Sequence, residues 1–506
     1  MSEDSTDNKP SARDSPTVNL LKIKNWRDPV ELSCSRTKGR DVLKCQGDIP
    51  SGWEDKGDRP PEQLSKEIEP WLTALFQSEH LSLLVGSGLT TAIHRNVTEA
   101  SEGEARSPNG FGNCDHFPDS FNEHINDEAE RTARASGRIP NDSKFENESK
   151  GPSFNLEDQL RAAGKLLQGL KILTGSETSG VAYQEIEKKL SEDLNDLKDT
   201  IEKAYKGLIN GVLASEKVIL GGTGESKDER AHLNQLLSFL MSFASRSGTR
   251  DRLQLFTTNY DRVLELGAEL AGIRLLDRFT GSLAPIFRSS RLDVDMHYNP
   301  PGIRGEPRYL EGVARFTKLH GSLDWVFENR NVLRKPLPFG AESFKPYIGS
   351  KASNALIYPN DAKDWETAGF PYVELFRDFA AAACRPNSTL VTYGYGFGDD
   401  HINRVIRDML TIPSTHLVIL AHADSGGRLS SFLDSCSNQE AQTTYLIGNH
   451  LGDLENLVRY YLPKPAIDRA TIRMSELLKA RGWSPDTATG SDKEEPSGSD
   501  EKGGSE

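Results

Sequence analysis

The stretch FTTNYDRVLE, residues 256–265, joins a predicted strand to a predicted helix. Apolar residues precede Thr257, as in a buried strand, and Val263 and Leu264 begin an apolar helical face. Open α/β sheets hold their ligands at such strand-to-helix corners. Asn259 and Asp261 therefore have two interpretations. They shape the corner, as an Asx-turn residue and a helix cap, or they face a ligand.

Outward from this corner, predicted strands alternate with predicted helices. Strands are predicted over 81–85, 389–393, 416–421 and 443–447, with helices between the last three. Such alternation is typical of an α/β protein. The predicted fold is a Rossmann-like parallel sheet flanked by helices, with a helical insertion and disordered polar termini.

Composition divides the chain into segments. We expect a polar N-terminal extension over 1–60, a main domain over 61–461, a C-terminal helix over 462–483 and a disordered acidic tail over 484–506. The main domain includes a polar insertion over 99–153 and a helical region over 155–247. Two apolar stripes in that region, from Leu156 to Leu170 and from Ile186 to Leu208, predict amphipathic helices. Each stripe is either helical core or a partner-facing surface, with core favoured.

Charge and cysteine usage narrow the class of protein. The net charge is −14 in 506 residues, which argues against strong direct nucleic-acid binding. None of the five cysteines forms a C-x-x-C pair, so no zinc ribbon or dithiol motif is visible and no metal is expected. The sparse cysteines suit a reducing compartment. With no signal-like start and no membrane-length apolar run, a soluble cytoplasmic protein is expected.

Two further predicted strand ends carry residues suited to chemistry. Glycines at Gly86-Ser87-Gly88 allow a backbone to approach a phosphate at a helix start. Thr91 stands where the dinucleotide fingerprint needs a third glycine, so a plain glycine turn remains the alternative. His320, at a strand end before Gly321, is either a base working near neutral pH or a histidine without a catalytic role.

The last of these strand ends is the run GYGFGDDHIN, residues 394–403. Its alternating glycines, which include Gly394 and Gly396, suit close approach of the backbone to a ligand. Asp399 and Asp400 also have a simpler explanation, because acidic residues stabilise the first turn of a helix.

The four motifs occur in an order that resembles the sirtuin-like family of NAD-consuming enzymes, and most closely its bacterial branch linked to phage defence. The resemblance covers about residues 62–460, with insertions. It implies that 61–461 is a sirtuin-like NAD-binding catalytic domain. It also implies that Asn259 is the essential amide near the nicotinamide ribose, and that His320 is the base that accepts a proton from a ribose hydroxyl.

The resemblance further implies contacts with NAD+ at Gly86, Ser87, Gly88, Thr258, Asp261, Gly394, Tyr395, Gly396, Asp400 and Asn403. Two motifs depart from the family pattern. Thr258 replaces a glutamine, and Gly-Tyr-Gly at 394–396 replaces Gly-Thr-Ser. Protein deacylases of the family carry two C-x-x-C pairs for a structural zinc after the His-Gly motif, whereas only Cys384 and Cys436 follow His320 here.

The missing zinc cysteines favour hydrolysis over deacylation. The expected activity is an NAD+ glycohydrolase that releases nicotinamide and ADP-ribose and acts in antiphage defence by depleting NAD+. The resemblance implies control by homo-oligomerisation or by a partner such as a HerA-type ATPase or a short Argonaute-type protein. The helices of 155–210 are a candidate assembly surface. The alternatives are a non-catalytic sensor subunit that binds NAD or ADP-ribose, and a protein deacylase or ADP-ribosyltransferase.

Overall fold

Strands and helices alternate along most of the part of the chain that the structure describes. The computed structural model describes residues 17–24, 26, 28–37, 40–48, 53, 57–99, 119–135, 156–174, 181–221, 231–246, 250–290, 294–298, 308–349, 355–357 and 369–465. One unit runs from Met1 to Pro463 and a second from Lys464 to Glu506. The predictions for the first 16 residues, for most of the C-terminal helix and for the acidic tail fall outside the described residues.

The strands in chain order are β1 (Thr17–Lys22), β2 (Val30–Thr37), β3 (Arg40–Cys45), β4 (Asp58–Arg59), β5 (His80–Val85), β6 (Gln254–Thr257), β7 (Arg274–Leu276), β8 (Phe279–Thr280), β9 (Ile286–Phe287), β10 (His297–Tyr298), β11 (Arg308–Tyr309), β12 (Val313–Lys318), β13 (Gly321–Glu328), β14 (Asn331–Arg334), β15 (Ala355–Ile357), β16 (Ser388–Tyr393), β17 (His416–Ala421) and β18 (Thr443–Ile447).

The helices are α1 (Pro61–Phe76), α2 (Ser87–Glu99), α3 (Asp119–Ala135), α4 (Leu156–Thr174), α5 (Val181–Gly221), α6 (Ala231–Ala244), α7 (Val263–Leu270), α8 (Lys345–Ile348), α9 (Tyr372–Ala383), α10 (Asp400–Leu410), α11 (Arg428–Ser435) and α12 (Leu454–Asn456). A 3-10 helix over Ser437–Gln442 precedes β18, and a π-helical turn over Leu457–Tyr461 follows α12.

The main sheet has eleven strands in the order β4-β3-β2-β1-β18-β17-β16-β5-β6-β12-β7. The strands from β18 to β7 pair in parallel, and β1 to β4 add antiparallel strands beyond β18. Strands β6 and β16 pair with β5 on its two sides, so the sheet extends in both directions from β5. The α/β prediction and the Rossmann-like parallel sheet are confirmed.

Helices cover both faces of this sheet, since its central strands are buried on both sides. On β5, Leu83 and Val85 belong to one apolar cluster, with α1, α6 and α7, whereas Leu84 belongs to another, with α9 and α10. The alternation follows from the two-residue period of a strand. Nearly continuous apolar sequences are what parallel strands buried on both faces require.

The helical region forms a third core. Along α4 and α5, stripe residues are buried against one another, among them Leu160, Ala163, Leu197 and Leu208. The favoured interpretation of the stripes as core is therefore confirmed. An assembly surface on other faces of these helices stays a prediction. The third core also includes β13 of a second sheet with the order β15-β13-β14-β9-β8.

Two polar segments contain regular structure. In the N-terminal extension, strands β1 to β4 belong to the main sheet. Within the polar insertion, α3 packs through Ile125 and Ala129, which are both buried. Their short apolar stretches become stable only through contacts with distant segments, which the sequence does not display.

Candidate active site

The polar residues after the parallel strands lie at one edge of the sheet, in matching register. Thr257 of β6 pairs with Lys318 of β12 and with Val85 of β5, and Val85 pairs with Tyr393 of β16. Asn259 and His320 therefore each follow their paired residue by two positions on neighbouring strands. Ser87 and Tyr395 occupy the corresponding positions after β5 and β16. All four sequence motifs thus meet at the carboxyl edge.

Two glycine turns are in contact between β5 and β16, where strands are added to the sheet on both sides of β5. The turn after β5 contains Gly86 and Gly88, and the turn after β16 contains Gly394, with φ +61°. A Cβ atom on Gly88 would lie 2.5 Å from the Gly394 Cα, and one on Gly86 would lie 2.4 Å from the Gly394 carbonyl oxygen. The glycines are therefore needed for contact between the turns, which lie between β5 and β16 at the switch point where such sheets bind ligands.

Asn259 is buried, with 7% of its surface exposed, and its amide nitrogen holds the corner to the glycine turn. The Nδ2 group donates to the Gly86 carbonyl at 3.1 Å and to the Thr90 hydroxyl at 3.2 Å. The backbone N–H of Asn259 donates to the Thr257 hydroxyl at 3.0 Å. Among the described residues, no group donates to the Asn259 Oδ1 atom. The amide oxygen is thus available to accept a hydrogen bond from a ligand or from water.

Asp261 serves both as a helix-start acceptor and as a side-chain partner. Its Oδ1 atom accepts from the Val263 N–H at 3.1 Å, at the start of α7. Its Oδ2 atom accepts from the Thr90 hydroxyl at 2.7 Å. Thr90 on α2 consequently joins the Asn259 amide to the Asp261 carboxylate. Thr258 directly precedes Asn259 and is half-buried, and its N–H donates to the Val85 carbonyl at 3.2 Å.

His320 pairs with an aspartate from the last motif. Its Nε2 atom lies 2.8 Å from Asp399 Oδ2, and the two side chains are 11% and 6% exposed. A carboxylate accepts hydrogen bonds, so in the neutral imidazole Nε2 is the nitrogen that carries the proton and Nδ1 is the one with the lone pair. Among the described residues, nothing contacts the Nδ1 atom of His320 through a hydrogen bond. Nδ1 is therefore the nitrogen able to accept a proton from a substrate.

Aromatic rings flank the imidazole of His320. Ring centroids of Tyr260 and Phe376 lie 6.3 Å and 6.4 Å from that of His320. Phe376 comes from α9, and it also contacts the His401 ring at 6.1 Å. These rings offer flat apolar surfaces beside the imidazole for a planar ligand group.

Hydrogen bonds within the motif at residues 394–403 hold its turn. The Tyr395 hydroxyl donates to Asn403 Oδ1 at 3.0 Å and lies 3.1 Å from the Asp399 carbonyl oxygen, and Asn403 Nδ2 donates to the Phe397 carbonyl at 2.9 Å. Burial raises the pKa of the Tyr395 phenol well above its usual range, so the group stays a donor. Asp399 Oδ1 accepts from the His401 N–H at 3.0 Å and caps α10.

The remaining predicted contacts lie beside these turns. Ser87 is the exposed first residue of α2, and Asp400 is the half-buried first residue of α10. Gly396 lies near the Arg428 guanidinium, since a Cβ atom added there would be 3.4 Å from Arg428 Nη2. The structure thus brings every predicted site residue to the same edge of the sheet, while the polar side-chain atoms of Asn403 are engaged within the protein.

The buried side chain of Lys318 holds the backbone of the corner. Lys318 is 1% exposed and contacts Glu265 Oε1 at 2.9 Å, and it also donates to the backbone carbonyl of Asp261. Burial raises the pKa of the Glu265 carboxyl, and the Lys318 ammonium acts against that rise. Together, the Glu265 contact and the bond to the Asp261 carbonyl hold the backbone that carries Asp261.

A second buried pair ties the helical region to the corner. Glu216 on α5 is fully buried, and its carboxylate accepts from the Arg262 side chain, with the closer contact at 2.5 Å. Glu216 Oε1 also accepts from the Arg262 N–H at 2.9 Å, and Oε2 accepts from the Gly340 N–H at 3.0 Å. Arg262 directly follows Asp261, so α5 holds the residue next to the candidate site.

Residues 254–440 match the model of the SIR2-like domain. The match runs from β6 to the 3-10 helix before β18 and includes Asn259, His320 and the turn at Gly394. Residues 254–440 are therefore sirtuin-like, the family uses NAD+ as a substrate, and this part of the resemblance is confirmed. A comparison with curated proteins found no match.

Several residues around the site were not singled out as site residues by sequence reasoning. Thr90 and Phe376 lie in helices and have no sequence motif of their own, and Glu216 lies more than 40 positions before its partner Arg262. Asp399 was recognised only as a first-turn acid. The one available signal was its position at the end of a glycine-rich turn that lies beside the strand of His320.

The part of the chain that the structure describes contains no helix long and apolar enough to cross a membrane.

Proposed function

We propose that this protein is an NAD+ glycohydrolase that cleaves NAD+ to nicotinamide and ADP-ribose. The observation that carries the proposal is the matched placement of Asn259 and His320 after neighbouring strands, with Asn259 Oδ1 and His320 Nδ1 both available to a ligand. A simple NAD-binding subunit would need a complementary pocket, but would not need an imidazole oriented by Asp399.

In the proposed reaction, the bond between the ribose C1′ and the nicotinamide nitrogen breaks. Its electron pair leaves with nicotinamide and neutralises the positive charge of the ring. Water adds to C1′ and loses a proton, which passes through a ribose hydroxyl to His320 Nδ1 and then to solvent. Asn259 Oδ1 accepts a hydrogen bond from the attacking water, and Asp399 stabilises the imidazolium that forms.

Sequestering this reaction requires an oriented and partly dry site. Tyr260 and Phe376 supply aromatic surface beside the imidazole, and the nicotinamide ring is a suitable planar partner for such surfaces. We assign the phosphates to the helix start at Ser87, because the N-terminus of a helix attracts anions. The other predicted NAD+ contacts, Gly86, Gly88, Thr258, Asp261, Gly394, Tyr395, Gly396, Asp400 and Asn403, remain part of this proposal.

The proposal extends to biological role. The resemblance to the phage-defence branch favours an effector that depletes NAD+ during infection in the cytoplasm. Such an activity has to be restrained, and we propose restraint through homo-oligomerisation or a partner such as a HerA-type ATPase or a short Argonaute-type protein. We take residues 61–461 as the catalytic domain of this effector.

Product analysis separates this function from its alternatives. Full-length protein is incubated with NAD+ over a range of protein concentrations, with and without an acetyl-lysine peptide, and products are separated by chromatography. A glycohydrolase forms nicotinamide and ADP-ribose in equal amounts without peptide. A deacylase forms acetylated ADP-ribose only with peptide, a transferase modifies protein with ADP-ribose, and a sensor binds NAD+ in calorimetry without product. Any of these three results contradicts the proposal.

Matched variants locate the activity. His320→Ala is expected to lose about 10²-fold or more of the rate, the contribution typical of a positioned base. His297→Ala, at an exposed position on β10, removes a histidine away from this edge and is expected to keep the rate. Equal rates in the two variants would refute the assignment of His320.

A further inference from the structure

Three residues with metal-binding side chains converge outside the candidate NAD+ site. Cys34 on β2, Asp41 on β3 and His450 after β18 place one ligand atom each within 4.8 Å of one another. In the sheet order, five strands lie between β2 and β6, whereas only β17 lies between β18 and β16. His450 lies more than 400 positions after Cys34 and Asp41, so the spacing of cysteines along the chain gave no sign of the cluster.

His450 is held in place by its own turn. The Asn19 side-chain oxygen on β1 accepts from the N–H groups of His450 and Leu451, at 2.9 Å and 3.0 Å. Gly448 permits this contact, because a Cβ atom there would lie 2.3 Å from that oxygen. The turn therefore presents the imidazole in a fixed direction before any ligand binds.

The two ring nitrogens of His450 have different surroundings. Nε2 lies 3.0 Å from the hydroxyl of Tyr461, which is fully buried. Nδ1 lies 3.4 Å from Asp41 Oδ2 and 3.2 Å from the Asn456 amide nitrogen. A metal-binding histidine is commonly oriented by a hydrogen bond to its second nitrogen. Tyr461 supplies that bond here, which leaves Nδ1 to face Asp41 and Cys34.

We propose that Cys34, Asp41 and His450 form a zinc site, with His450 Nδ1 as the nitrogen ligand. Thiolate, imidazole and carboxylate are the three ligand types that zinc uses in proteins. The His450 side chain is 3% exposed and that of Asp41 is 37% exposed, so the site opens toward solvent on the Asp41 side. Water reaches the fourth position from that side.

Zinc binding requires a small adjustment. Zinc–ligand bonds of about 2.0–2.3 Å place tetrahedral ligand atoms closer together than the present limit of 4.8 Å. The hairpin of β2 and β3 therefore moves toward His450, and the Asn456 amide withdraws from Nδ1. The bound ion joins the N-terminal strands to the turn after β18, so its binding free energy adds to the stability of this edge of the sheet.

Metal titration of the full-length protein tests this site independently of NAD+ turnover. Chelator-treated protein is titrated with Zn²⁺ by calorimetry and with Co²⁺ by absorption, which reports a thiolate ligand through its charge-transfer band. We expect one equivalent of metal and a thiolate–cobalt band in the wild type. Cys34→Ser is expected to lose the band, whereas Cys384→Ser, at another half-buried free cysteine, is expected to keep it.

A conservative variant tests the site in a protein that keeps its fold. Asp41→Asn keeps the shape of a partly exposed side chain, and it is expected to weaken zinc binding at least 10-fold while its circular dichroism spectrum stays that of the wild type. The absence of stoichiometric metal in the wild type would overturn the proposal. So would Zn²⁺ affinity and a cobalt spectrum unchanged in both Cys34→Ser and Asp41→Asn.

Discussion

His320 and Asp399 lie 79 positions apart in sequence and 2.8 Å apart in the structure, Nε2 to Oδ2. The aspartate that caps α10 therefore also determines which nitrogen of the imidazole carries the proton. This pair joins the strand-end histidine to the glycine-rich turn across the sheet edge. Its geometry makes Asp399 a positioning residue for the proposed base.

Neutralising Asp399 should slow turnover and leave NAD+ binding nearly intact. Asp399→Asn keeps a side-chain oxygen for the His401 N–H, but it removes the charge that stabilises the imidazolium. We expect kcat to fall roughly 10²-fold with little change in KM, at the lower end of what a base contributes. In a His320→Ala background the same substitution should have no further effect, because the two residues act as one unit. Additive losses in kcat would contradict the pairing.

A methyl group at Gly88 should separate the two glycine turns. Its Cβ atom would lie 2.5 Å from the Gly394 Cα, and backbone cannot move aside as a flexible side chain can. Gly88→Ala should therefore lower the free energy of unfolding by about 1–3 kcal/mol, the usual cost of overpacking, and reduce NAD+ turnover. Urea denaturation and nicotinamide release measure the two effects.

The control for this substitution is a glycine with free space around it. Gly207 is exposed within α5, and a Cβ atom there would meet nothing within 4 Å. Gly207→Ala should stabilise the protein by up to about 1 kcal/mol, since alanine favours helix. If Gly88→Ala were as stable as this control, the contact between the turns would not be required.

Removing Glu216 should destabilise the protein strongly, because Arg262 would then be a buried cation without its carboxylate. Glu216→Ala is expected to cost about 3–5 kcal/mol of unfolding free energy. Lys217→Ala is the matched control, since Lys217 is 62% exposed and its partner Glu342 is 86% exposed. The control should change stability by less than about 1 kcal/mol. Similar losses of unfolding free energy in the two variants would show that the buried pair stabilises the protein no more than the exposed pair does.

Lowering the pH should reduce the free energy of unfolding through His416. Burial, aided by the Lys22 charge, lowers the pKa of His416 to about 4. An unfolded histidine has a pKa near 6.5, so between these values the unfolded chain binds an extra proton and stability falls as the pH falls. Because His416 is partly exposed, we expect a contribution on the order of 1–2 kcal/mol, lost between about pH 6.5 and pH 4.

Urea unfolding of wild type and His416→Gln at several pH values measures this contribution. The stability advantage of the wild type should shrink as the pH falls through this window. His124→Gln, at an exposed position on α3, controls for the loss of a histidine as such. Parallel loss of stability in wild type and His416→Gln would show that His416 is not responsible.

The sequence predicted the carboxyl-terminal half of the sheet well. Strands β17 and β18 begin and end where the pattern placed them, because short apolar runs bounded by turn residues are a strong local signal. The four motifs were also found in sequence, since glycines, Asn259 and His320 stand out at strand ends. Their common register at one edge follows from parallel pairing.

Other features depend on contacts that sequence reasoning could not reach. Strands β2 and β3 lie near one edge of the main sheet, and they gain stability through pairing, β2 with β1 and β3 with β2. The second sheet uses strands as short as two residues, too short to show a period. The pair of Glu216 with Arg262 unites a helix and a turn that are separated by α6, so nothing local indicated it.

The most direct test of the account compares nicotinamide release by Asn259→Ala and Asn331→Ala. Asn259 supplies the proposed water-binding amide oxygen, whereas Asn331 lies on β14 and its amide donates to the nearby Asn329 carbonyl. With full-length protein at matched concentrations, we predict wild-type release of nicotinamide and ADP-ribose by Asn331→Ala and its loss in Asn259→Ala. Wild-type release by Asn259→Ala, or NAD+ left intact by the wild type at every protein concentration, would contradict the account.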